Sequence, residues 1–329
     1  MSSITIPARG ESHPHLRPLS ILRDLPAVAD LIELCFSSTM DTDGRRYVQD
    51  MRRAGKDNSF IKWANRAVET TSLPLTGYIW EENGHIIGNT SLVPFRHNKQ
   101  RIYLIANVAV HPSHRRKGIA RALTERAMQH AREKKVNNIW LHVRDDNPDA
   151  INLYTKLGFV ERARRTSWQA VTDLNAERLD TDITITGRHP RYWQTQHNWL
   201  SRLYPSALSW HRDWNINSLR PGFLNWLYLL FVDVNIRQWA AVRPSAGVGT
   251  DLQATLSWIP SGRGESLFAA AGERSAPEAL TALLIQARRE IYRSYPHITL
   301  EFPVSQFDDA IQAAGFKPLR TLIWMQATS

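Results

Sequence analysis

Apolar residues recur along the first half of the chain at two different spacings, which predict strands and helices. Alternating or β-branched apolar runs favour strands, whereas spacings of three and four favour amphipathic helices. After a loose N-terminus (1–16), the first pattern predicts strands at 19–22, 75–80, 85–93, 102–110, 138–143 and 159–169. The second predicts a helix after Pro26, helices at 118–134 and 148–156, and one or two more between 37 and 75. Asn83-Gly84 marks a hairpin turn between the second and third strands.

This order of elements predicts the fold class and the domain organisation. Antiparallel strands come first and a β-α-β unit follows, so the sequence predicts an α+β domain with a mixed, mostly antiparallel sheet flanked by helices. A chain of 329 residues is long enough for two such domains, each with its own core. We expect a first domain over 17–172, then a helical linker rich in Trp, His and Arg over 173–220, and a second domain that consists of 221–329 together with this linker.

The second half repeats features of the first half at a constant offset of 157 residues. Ala279-Leu280-Thr281 matches Ala122-Leu123-Thr124, and Gly315-Phe316 matches Gly158-Phe159. Chance similarity between two amphipathic helices is the alternative explanation, because Ala and Leu are common in any helix. Gln326 matches Gln169 at the same offset. The constant offset across three elements favours duplication.

The stretch from Val108 to Ala120 carries the strongest functional pattern. It runs from a strand through the basic turn Arg115-Arg116-Lys117-Gly118 into a helix. Glycine lets the backbone approach a bulky anion, and free N–H groups at a helix start, together with the macrodipole, attract negative charge. Such a turn suits a pyrophosphate, although a basic helix start is by itself a weak signal and is often only a solvated cap.

A second stretch, Leu141 to Phe159, makes the pattern specific. The chain resembles the Gcn5-related N-acetyltransferase (GNAT) superfamily at both of its motifs, R-x-x-G-x-A/G and N-x-x-A-x-x-L-Y-x-K-x-G-F. The matching residues are Arg115, Gly118, Ala120, Asn147, Ala150, Leu153, Tyr154, Lys156, Gly158 and Phe159. This resemblance covers residues 17 to 170 and implies the superfamily's fold, with acetyl-CoA as co-substrate and no metal.

The resemblance also implies where the co-substrate contacts the chain. The pantetheine arm would run along the fourth strand, where a backbone N–H polarises the thioester carbonyl, and the pyrophosphate would bind the basic turn. The implied cofactor-binding residues are Val108, Ala109, Val110, Arg115, Arg116, Lys117, Gly118, Ile119, Ala120, Arg121, Asn147 and Tyr154.

Acetyl transfer to an amine needs a neutral amine, a donor for the developing oxyanion and an acid for the leaving thiolate. By the motif match Tyr154 is the acid; the alternative is a packed aromatic side chain.

His142 and Tyr103 resemble a pair that deprotonates the amine through an ordered water in one branch of protein N-terminal acetyltransferases. A core histidine bonded to a backbone carbonyl is the alternative for His142. Weaker candidates for the base are Glu81, Glu82, His85 and His111, and His111-x-x-His114 lacks a third metal ligand.

We therefore expect an N-acetyltransferase that acts by direct attack on acetyl-CoA, with a protein N-terminus or a small-molecule amine as acceptor. At pH 7 on the order of a tenth of an α-amine is neutral, against less than about a thousandth of a lysine amine, which slightly favours the α-amine. The alternative from another class is a non-catalytic acyl-CoA-binding module that recruits a partner. The complete motif around Tyr154 speaks against that alternative.

The charge distribution argues against a nucleic-acid partner. Of the net charge of +10, +9 lies in residues 1–169, which hold 26 Lys and Arg against 17 Asp and Glu, whereas residues 170–329 hold 15 against 14. Coenzyme phosphates account for part of this excess, and no nucleic-acid-binding motif accompanies it. The chain has a single cysteine, Cys35, no signal peptide pattern and no apolar run longer than Phe223 to Val232. These features predict a cytoplasmic protein without membrane attachment.

The second copy has lost the chemistry of the first. Residues 272–277 correspond to Arg115–Ala120 in the repeat. The acidic Glu273 therefore replaces a basic residue of the phosphate turn, and Pro277 removes an N–H donor. No residue corresponds to Tyr154. We expect a degenerate domain that shapes the acceptor site or is only structural.

Overall fold

The computed structural model describes residues 13–40, 42–54, 76–171, 181–210, 215–221, 236–244, 250–259, 265–291 and 298–328. The chain forms two compact units: unit 1 comprises Met1–Arg162 and Ile323–Ser329, and unit 2 comprises Ala163–Leu322. The expected loose segment before residue 13, the region 55–75, Trp214 and the apolar run 223–232 lie outside the described residues.

Unit 1 contains a sheet with helices on both faces. Its helices are α1 (Ile21–Phe36), α2 (Thr42–Ala54), α3 (Ile119–Glu133) and α4 (Pro148–Lys156). Its strands are β1 (Leu16–Pro18), β2 (Thr76–Glu82), β3 (His85–His97), β4 (Gln100–Val110) and β5 (Asn138–Arg144), together with the start of β6 (Val160–Ala170) and the end of β12 (Phe316–Thr328). Strands β1 to β4 pair antiparallel in sequence order, and β5 joins β4 in parallel.

The two faces of this sheet are covered by different helices. Trp80 of β2 packs with Ile119 and Leu123 of α3, whereas its neighbour Ile79 packs with Leu25 of α1 and with α2. Because successive strand residues point to opposite faces, α3 covers one face and α1 with α2 covers the other. We call the latter the α1–α2 face.

Unit 2 repeats this order of elements. Its helices are α5 (Trp193–Leu203), α6 (Pro277–Ile291) and α7 (Asp308–Ala313). Its strands are the rest of β6, then β7 (Thr184–Gly187), β8 (Arg237–Pro244), β9 (Thr250–Ile259), β10 (Glu265–Ala271), β11 (Ile298–Pro303) and the first part of β12. Strands β7 to β10 pair antiparallel and β11 joins β10 in parallel, as in unit 1. The strand pattern therefore agrees with the expected duplication.

The last strands of the two repeats do not occupy the expected positions. The strand at 159–169 is expected to be the last strand of the first domain. In the structure, its residues 165–169 pair antiparallel with β11 in unit 2. The place beside β5 in unit 1 is taken by β12, whose Ile323 and Met325 enter the core of that unit. Both strands follow a short helix and a glycine with positive φ, Gly158 at 90° and Gly315 at 78°. Local sequence is therefore alike, and long-range packing decides where each strand pairs.

The first strand differs from the sequence prediction, and the linker expected to be helical contains a strand as well. The strand expected at 19–22 is wrong: β1 ends at Pro18, and α1 begins at Ile21 because the Asp24 carboxylate accepts the Ser20 N–H at 2.7 Å. The segment expected as a linker (173–220) is, where described, part of unit 2. Its strand β7 pairs with β8. Leu200 and Leu203 of α5 are buried in the core of the same unit.

Candidate active site

The strands β4 and β5 separate halfway along their length. Their parallel ladder runs from Tyr103 opposite Ile139 to Ile105 opposite Leu141. Both strands continue beyond it, to Val110 and Arg144, with no further pairs between them among the described residues. A wedge therefore opens along residues 108–110 of β4, where the family resemblance implies contacts with the pantetheine arm. The main-chain N–H and C=O groups of these residues therefore do not pair with β5.

A β-bulge lies at the start of this wedge. Ser91 of β3 pairs with Ala106 and Asn89 with Ala109, so β4 has one extra residue between the two pairs. The extra residue is Asn107, whose φ of 53° lies in the left-handed region. Sequence reasoning missed this feature. The signal was present, because an asparagine inside an apolar strand tolerates positive φ better than other side chains.

The basic turn follows the wedge directly. Pro112–His114 forms a 3₁₀ turn, and then Arg116 and Gly118 both adopt positive φ, 63° and 84°, before α3 starts at Ile119. Gly118 is the N-cap, and no side chain hydrogen-bonds to the first N–H groups of α3. These donors and the positive end of the helix dipole form an anion site in principle.

The charged side chains of this turn are solvent-exposed. Arg116 reaches Asp149 at 2.9 Å, but both side chains are more than three-quarters exposed, so the pair contributes little to stability. Arg121 pairs with Glu125 one helical turn away at 3.0 Å, and Arg115 Nε donates to the Val110 carbonyl at 3.3 Å. Lys117 is exposed as well. The arrangement leaves positive charge at the surface around the N-terminus of α3.

The helix that carries Tyr154 spans the predicted residues, Pro148 to Lys156. Asn147 caps it: its Oδ1 accepts the Ala150 N–H at 3.2 Å, so this atom is used by the helix and only the amide NH₂ is left to donate to a ligand. Tyr154 is 7% exposed, meets the ring of Phe159 edge-on at 6.0 Å and belongs to the core beneath α3. Burial raises the pKa of Tyr154 to about 12, so its hydroxyl keeps its proton at neutral pH.

Tyr103 and His142 lie on opposite faces of the sheet, which corrects the expectation that they act as a pair. Tyr103 contacts His130 of α3 edge-on at 5.8 Å. His142 lies against the indole of Trp324 at 4.0 Å between ring centroids. Since Tyr103 pairs with Ile139, residue 142 projects to the other face by strand alternation. Neither spacing along the sequence nor the motif contains this information, which depends on the strand register.

Three of the remaining candidates for a base, Glu81, Glu82 and His111, have structural partners, and the fourth, His85, is exposed at the start of β3. Glu81 pairs with Arg17 at 2.5 Å, and Glu82 accepts the Trp80 indole N–H at 2.9 Å. His111 and His114 both contact the Ser113 hydroxyl, at 2.8 and 2.9 Å. In the described part of the chain, no group of three or more His, Cys, Asp or Glu side chains could hold a metal ion.

Cys35 lies on α1 beside the end of β4. Its thiol donates to the Val110 carbonyl at 3.3 Å. Burial raises the pKa of this thiol above its ordinary value, which disfavours the nucleophilic thiolate. The geometry therefore supports its interpretation as a packed residue.

The corresponding region of unit 2 is filled by its own side chains. The connection from β10 to α6 has five residues, 272–276, against eight, 111–118, between β4 and α3. Arg202 of α5 pairs with Glu273 at 2.6 Å and donates to the Ala271 carbonyl at 3.2 Å. The Tyr204 hydroxyl donates to the Glu301 carbonyl of β11 at 3.3 Å. Main-chain acceptors at the end of β10 and on β11 are thus already bound.

Comparison with known proteins gives a family match and several structural neighbours. Residues 30–159 match the model of the acetyltransferase (GNAT) family. Over 67 residues the chain is 40% identical to the ribosomal protein bS18-alanine N-acetyltransferase of Escherichia coli (strain K12), a match that covers 20% of this chain and 45% of that protein. The chain therefore spans less than half the length of this curated relative.

Two solved structures align over nearly the whole chain. A GCN5-related N-acetyltransferase from Sphaerobacter thermophilus has a TM-score of 0.57 at 14% identity, covering 96% of each chain. A tandem GNAT protein from the clavulanic acid biosynthesis pathway has a TM-score of 0.51 at 15% identity, covering 95% of this chain and 98% of that one. At these identities the likeness shows the fold alone. No described helix has the length and apolar character required to cross a membrane.

Proposed function

We propose that unit 1 is an acetyl-CoA-dependent N-acetyltransferase, because residues 30–159 match the model of the GNAT family, as the two motifs predicted. The expected fold class, a mixed and mostly antiparallel sheet flanked by helices, is confirmed as well. The proposed reaction is direct attack of a neutral amine on the thioester, without an acyl-enzyme.

The observation that carries the proposal is the continuity of two features along β4. The ladder with β5 ends at Ile105, which leaves main-chain groups of 108–110 for an extended acyl carrier. The same strand then enters a turn whose positive φ values at Arg116 and Gly118 present the open N-terminus of α3. A ligand with an extended arm and a pyrophosphate fits that sequence of features. Coenzyme A is such a ligand.

Residue roles follow from this placement. Backbone N–H groups of the turn and of the first turn of α3 hold the pyrophosphate, and the exposed side chains of Arg116, Lys117 and Arg121 add positive charge. A main-chain donor at the bulge polarises the thioester carbonyl as negative charge develops on its oxygen. Tyr154, protonated at neutral pH, donates its proton to the departing thiolate.

His142 is the proposed base, now without Tyr103. It lies on the α1–α2 face, against Trp324, which fixes the position of its ring. Tyr103 is left out of the proposed role because it lies on the other face, covered by α3, where it contacts His130. Substrate amine would reach His142 on the α1–α2 face, while the thioester approaches through the wedge.

His142→Ala is expected to lose most activity near neutral pH and least under alkaline conditions. At pH 7 most acceptor amine is protonated and needs a base, whereas above a pKa of about 8 an α-amine is already neutral. We expect a loss of about 10²-fold at pH 7 that shrinks steadily towards pH 9.5, measured as kcat/KM for the amine. A loss of equal size at every pH would instead assign His142 to packing against Trp324.

Unit 2 is proposed not to bind the co-substrate. Its turn is three residues shorter, is followed by Pro277 at the start of α6, and carries the acidic Glu273, which pairs with Arg202. Calorimetric titration with acetyl-CoA is expected to give one binding event per chain. A second saturable site would contradict the proposal that unit 2 is degenerate.

The acceptor is proposed to be an α-amine, either a protein N-terminus or a small molecule. The relative from Escherichia coli acetylates the alanine of a ribosomal protein, which is consistent with the first of these. Cytoplasmic location stays a prediction from the sequence.

The function is tested with the purified chain, acetyl-CoA and a panel of N-terminal peptides and small amines, with release of the CoA thiol as readout. Amine-dependent thiol release and acetylated product by mass spectrometry are expected. Saturable acetyl-CoA binding without turnover on any amine would favour the non-catalytic acyl-CoA-binding module. Absence of saturable binding would overturn both.

A further inference from the structure

Three side chains from two different elements converge on the bulge residue Asn107. The amide of Asn89 on β3 donates to the Asn107 carbonyl at 2.9 Å. The Asn107 amide donates in turn to the Tyr47 hydroxyl of α2 at 2.7 Å and to the Ser91 hydroxyl at 3.4 Å. Ser91 also accepts a bond from Asn89 at 3.3 Å. The bulge is therefore held on both its backbone and its side chain.

The orientation of the Asn89 side-chain amide is determined by the bond that it donates to the Asn107 carbonyl. A carbonyl oxygen can only accept, so the NH₂ group of Asn89 must face the Asn107 carbonyl. This leaves the Asn89 Oδ1 in the interior, on a residue that is 0% exposed, without a hydrogen-bond partner among the described residues. A buried unsatisfied acceptor is costly and needs an explanation. Fixing the bulge backbone supplies one.

Tyr47 links this network to the α1–α2 face. It lies against the core formed by α1, α2 and Ile79. Burial raises the pKa of its hydroxyl, which stays protonated. Since this hydroxyl accepts the bond from Asn107, its own proton is left to donate elsewhere. The helix on the proposed acceptor side is thus bonded directly to the bulge.

Positive φ at an asparagine does not require such a network. Asn83 and Asn98 adopt φ of 51° and 48° at exposed hairpin tips of the same sheet, where the turn alone accounts for the conformation. Asn107 lies in the middle of a strand, where the conformation is unfavourable and interrupts the ladder.

We propose that Tyr47, Asn89 and Ser91 are positioning residues that hold Asn107 in its left-handed conformation and so aim the main-chain donor of the β4 bulge at the thioester carbonyl. The inference rests on the proposed acetyl transfer and adds to it a link between α2 and the oxyanion donor. Misalignment of one preorganised donor lowers the rate of such reactions by about 10²-fold or more.

The test compares variants that separate the backbone conformation from its side-chain support. Asn107→Gly keeps the left-handed backbone without strain but deletes the bonds to Tyr47 and Ser91, whereas Asn107→Ala also disfavours positive φ. Tyr47→Phe removes a single oxygen atom. Asn83→Ala is the matched control, because it places the same strain at an exposed turn. Melting temperatures establish that each variant is folded.

Three quantities are measured: kcat, the acetyl-CoA dissociation constant, and the carbonyl stretching frequency of bound ¹³C-labelled acetyl-CoA. We expect kcat to fall about 5-fold in Tyr47→Phe, about 10-fold in Asn107→Gly and about 10²-fold in Asn107→Ala, with the dissociation constant changed by less than about 3-fold. The carbonyl band is expected to move towards its frequency in free acetyl-CoA in the same order. The double variant Tyr47→Phe, Asn107→Gly is expected to be no slower than Asn107→Gly alone, because both changes break one network.

Wild-type kcat and an unshifted band in Asn107→Gly and Tyr47→Phe would overturn the positioning role. So would multiplicative losses in the double variant, which would indicate two independent effects on packing. Failure of the proposed function is visible separately, since the wild-type chain would then not turn over acetyl-CoA with any amine, whether or not it binds it. That outcome would remove this inference together with the function on which it rests.

Discussion

Tyr154→Phe is expected to lower kcat by about 10²- to 10³-fold while changing acetyl-CoA affinity by less than about 3-fold. Only the hydroxyl is removed, and the ring keeps its edge-on contact with Phe159. The hydroxyl matters in the transition state, where it protonates the departing thiolate. A loss confined to kcat is the signature of an interaction made only there.

The pH dependence gives a second test of the same residue. Burial raises the pKa of Tyr154 to about 12, so the acid form is present at every pH below that value and is lost only as the pH rises through it. Wild-type kcat should therefore show no alkaline fall due to Tyr154 between pH 7 and pH 10. An acid with an ordinary tyrosine pKa, near 10, would begin to lose its proton within that range.

Tyr78→Phe is the matched control for this experiment. Tyr78 is also buried in the core beneath α3, at 4% exposure, and its hydroxyl is bonded to His130 at 2.8 Å. Removing it deletes a buried hydroxyl of the same core that is carried by β2 and not by α4. We expect lower stability with wild-type kcat for Tyr78→Phe. Unchanged turnover in Tyr154→Phe, or an equal loss in both variants, would exclude Tyr154 as the acid.

The parts of the site that the sequence predicts well are those determined by neighbouring residues. Helix α4 begins at Pro148 and ends at Lys156 as expected, because Asn147 caps it and Gly158 supplies a positive φ after it. The turn before α3 is predicted for the same reason, since Gly118 adopts a conformation that glycine favours. Short-range signals therefore locate both motifs correctly.

The strand register and the positions of the last strands, β6 and β12, depend on distant residues, so they are not predicted correctly from the sequence. Tyr103 and His142 look like neighbours on adjacent strands, but the pairing of Tyr103 with Ile139 puts them on opposite faces. The positions of β6 and β12 are decided by side chains such as Trp168 and Met325, which are buried in the cores of different units. Both strands have the same local pattern, so no local signal distinguishes their partners.

The phosphate turn gives the second large effect, on binding and not on chemistry. Gly118→Ala is expected to weaken acetyl-CoA binding by about 10- to 10²-fold. Gly118 has φ of 84°, and a β-carbon in the left-handed region costs about 1–2 kcal/mol. The free variant relieves this strain by moving its turn, and the co-substrate must then select the minor conformation, which reduces its apparent affinity. A side chain also obstructs the approach of the pyrophosphate to the backbone.

Gly84→Ala separates this effect from strain in general. Gly84 has a similar φ of 77° at the hairpin tip between β2 and β3, where a β-carbon would meet no atom within 4 Å. Both alanine variants should lose comparable stability, measured as the free energy of unfolding in urea. Only Gly118→Ala should raise the calorimetric dissociation constant for acetyl-CoA, and kcat at saturation should stay near the wild-type value because the reacting groups are untouched. Equal affinities in the two variants would mean that the co-substrate's phosphates bind somewhere other than the N-terminus of α3.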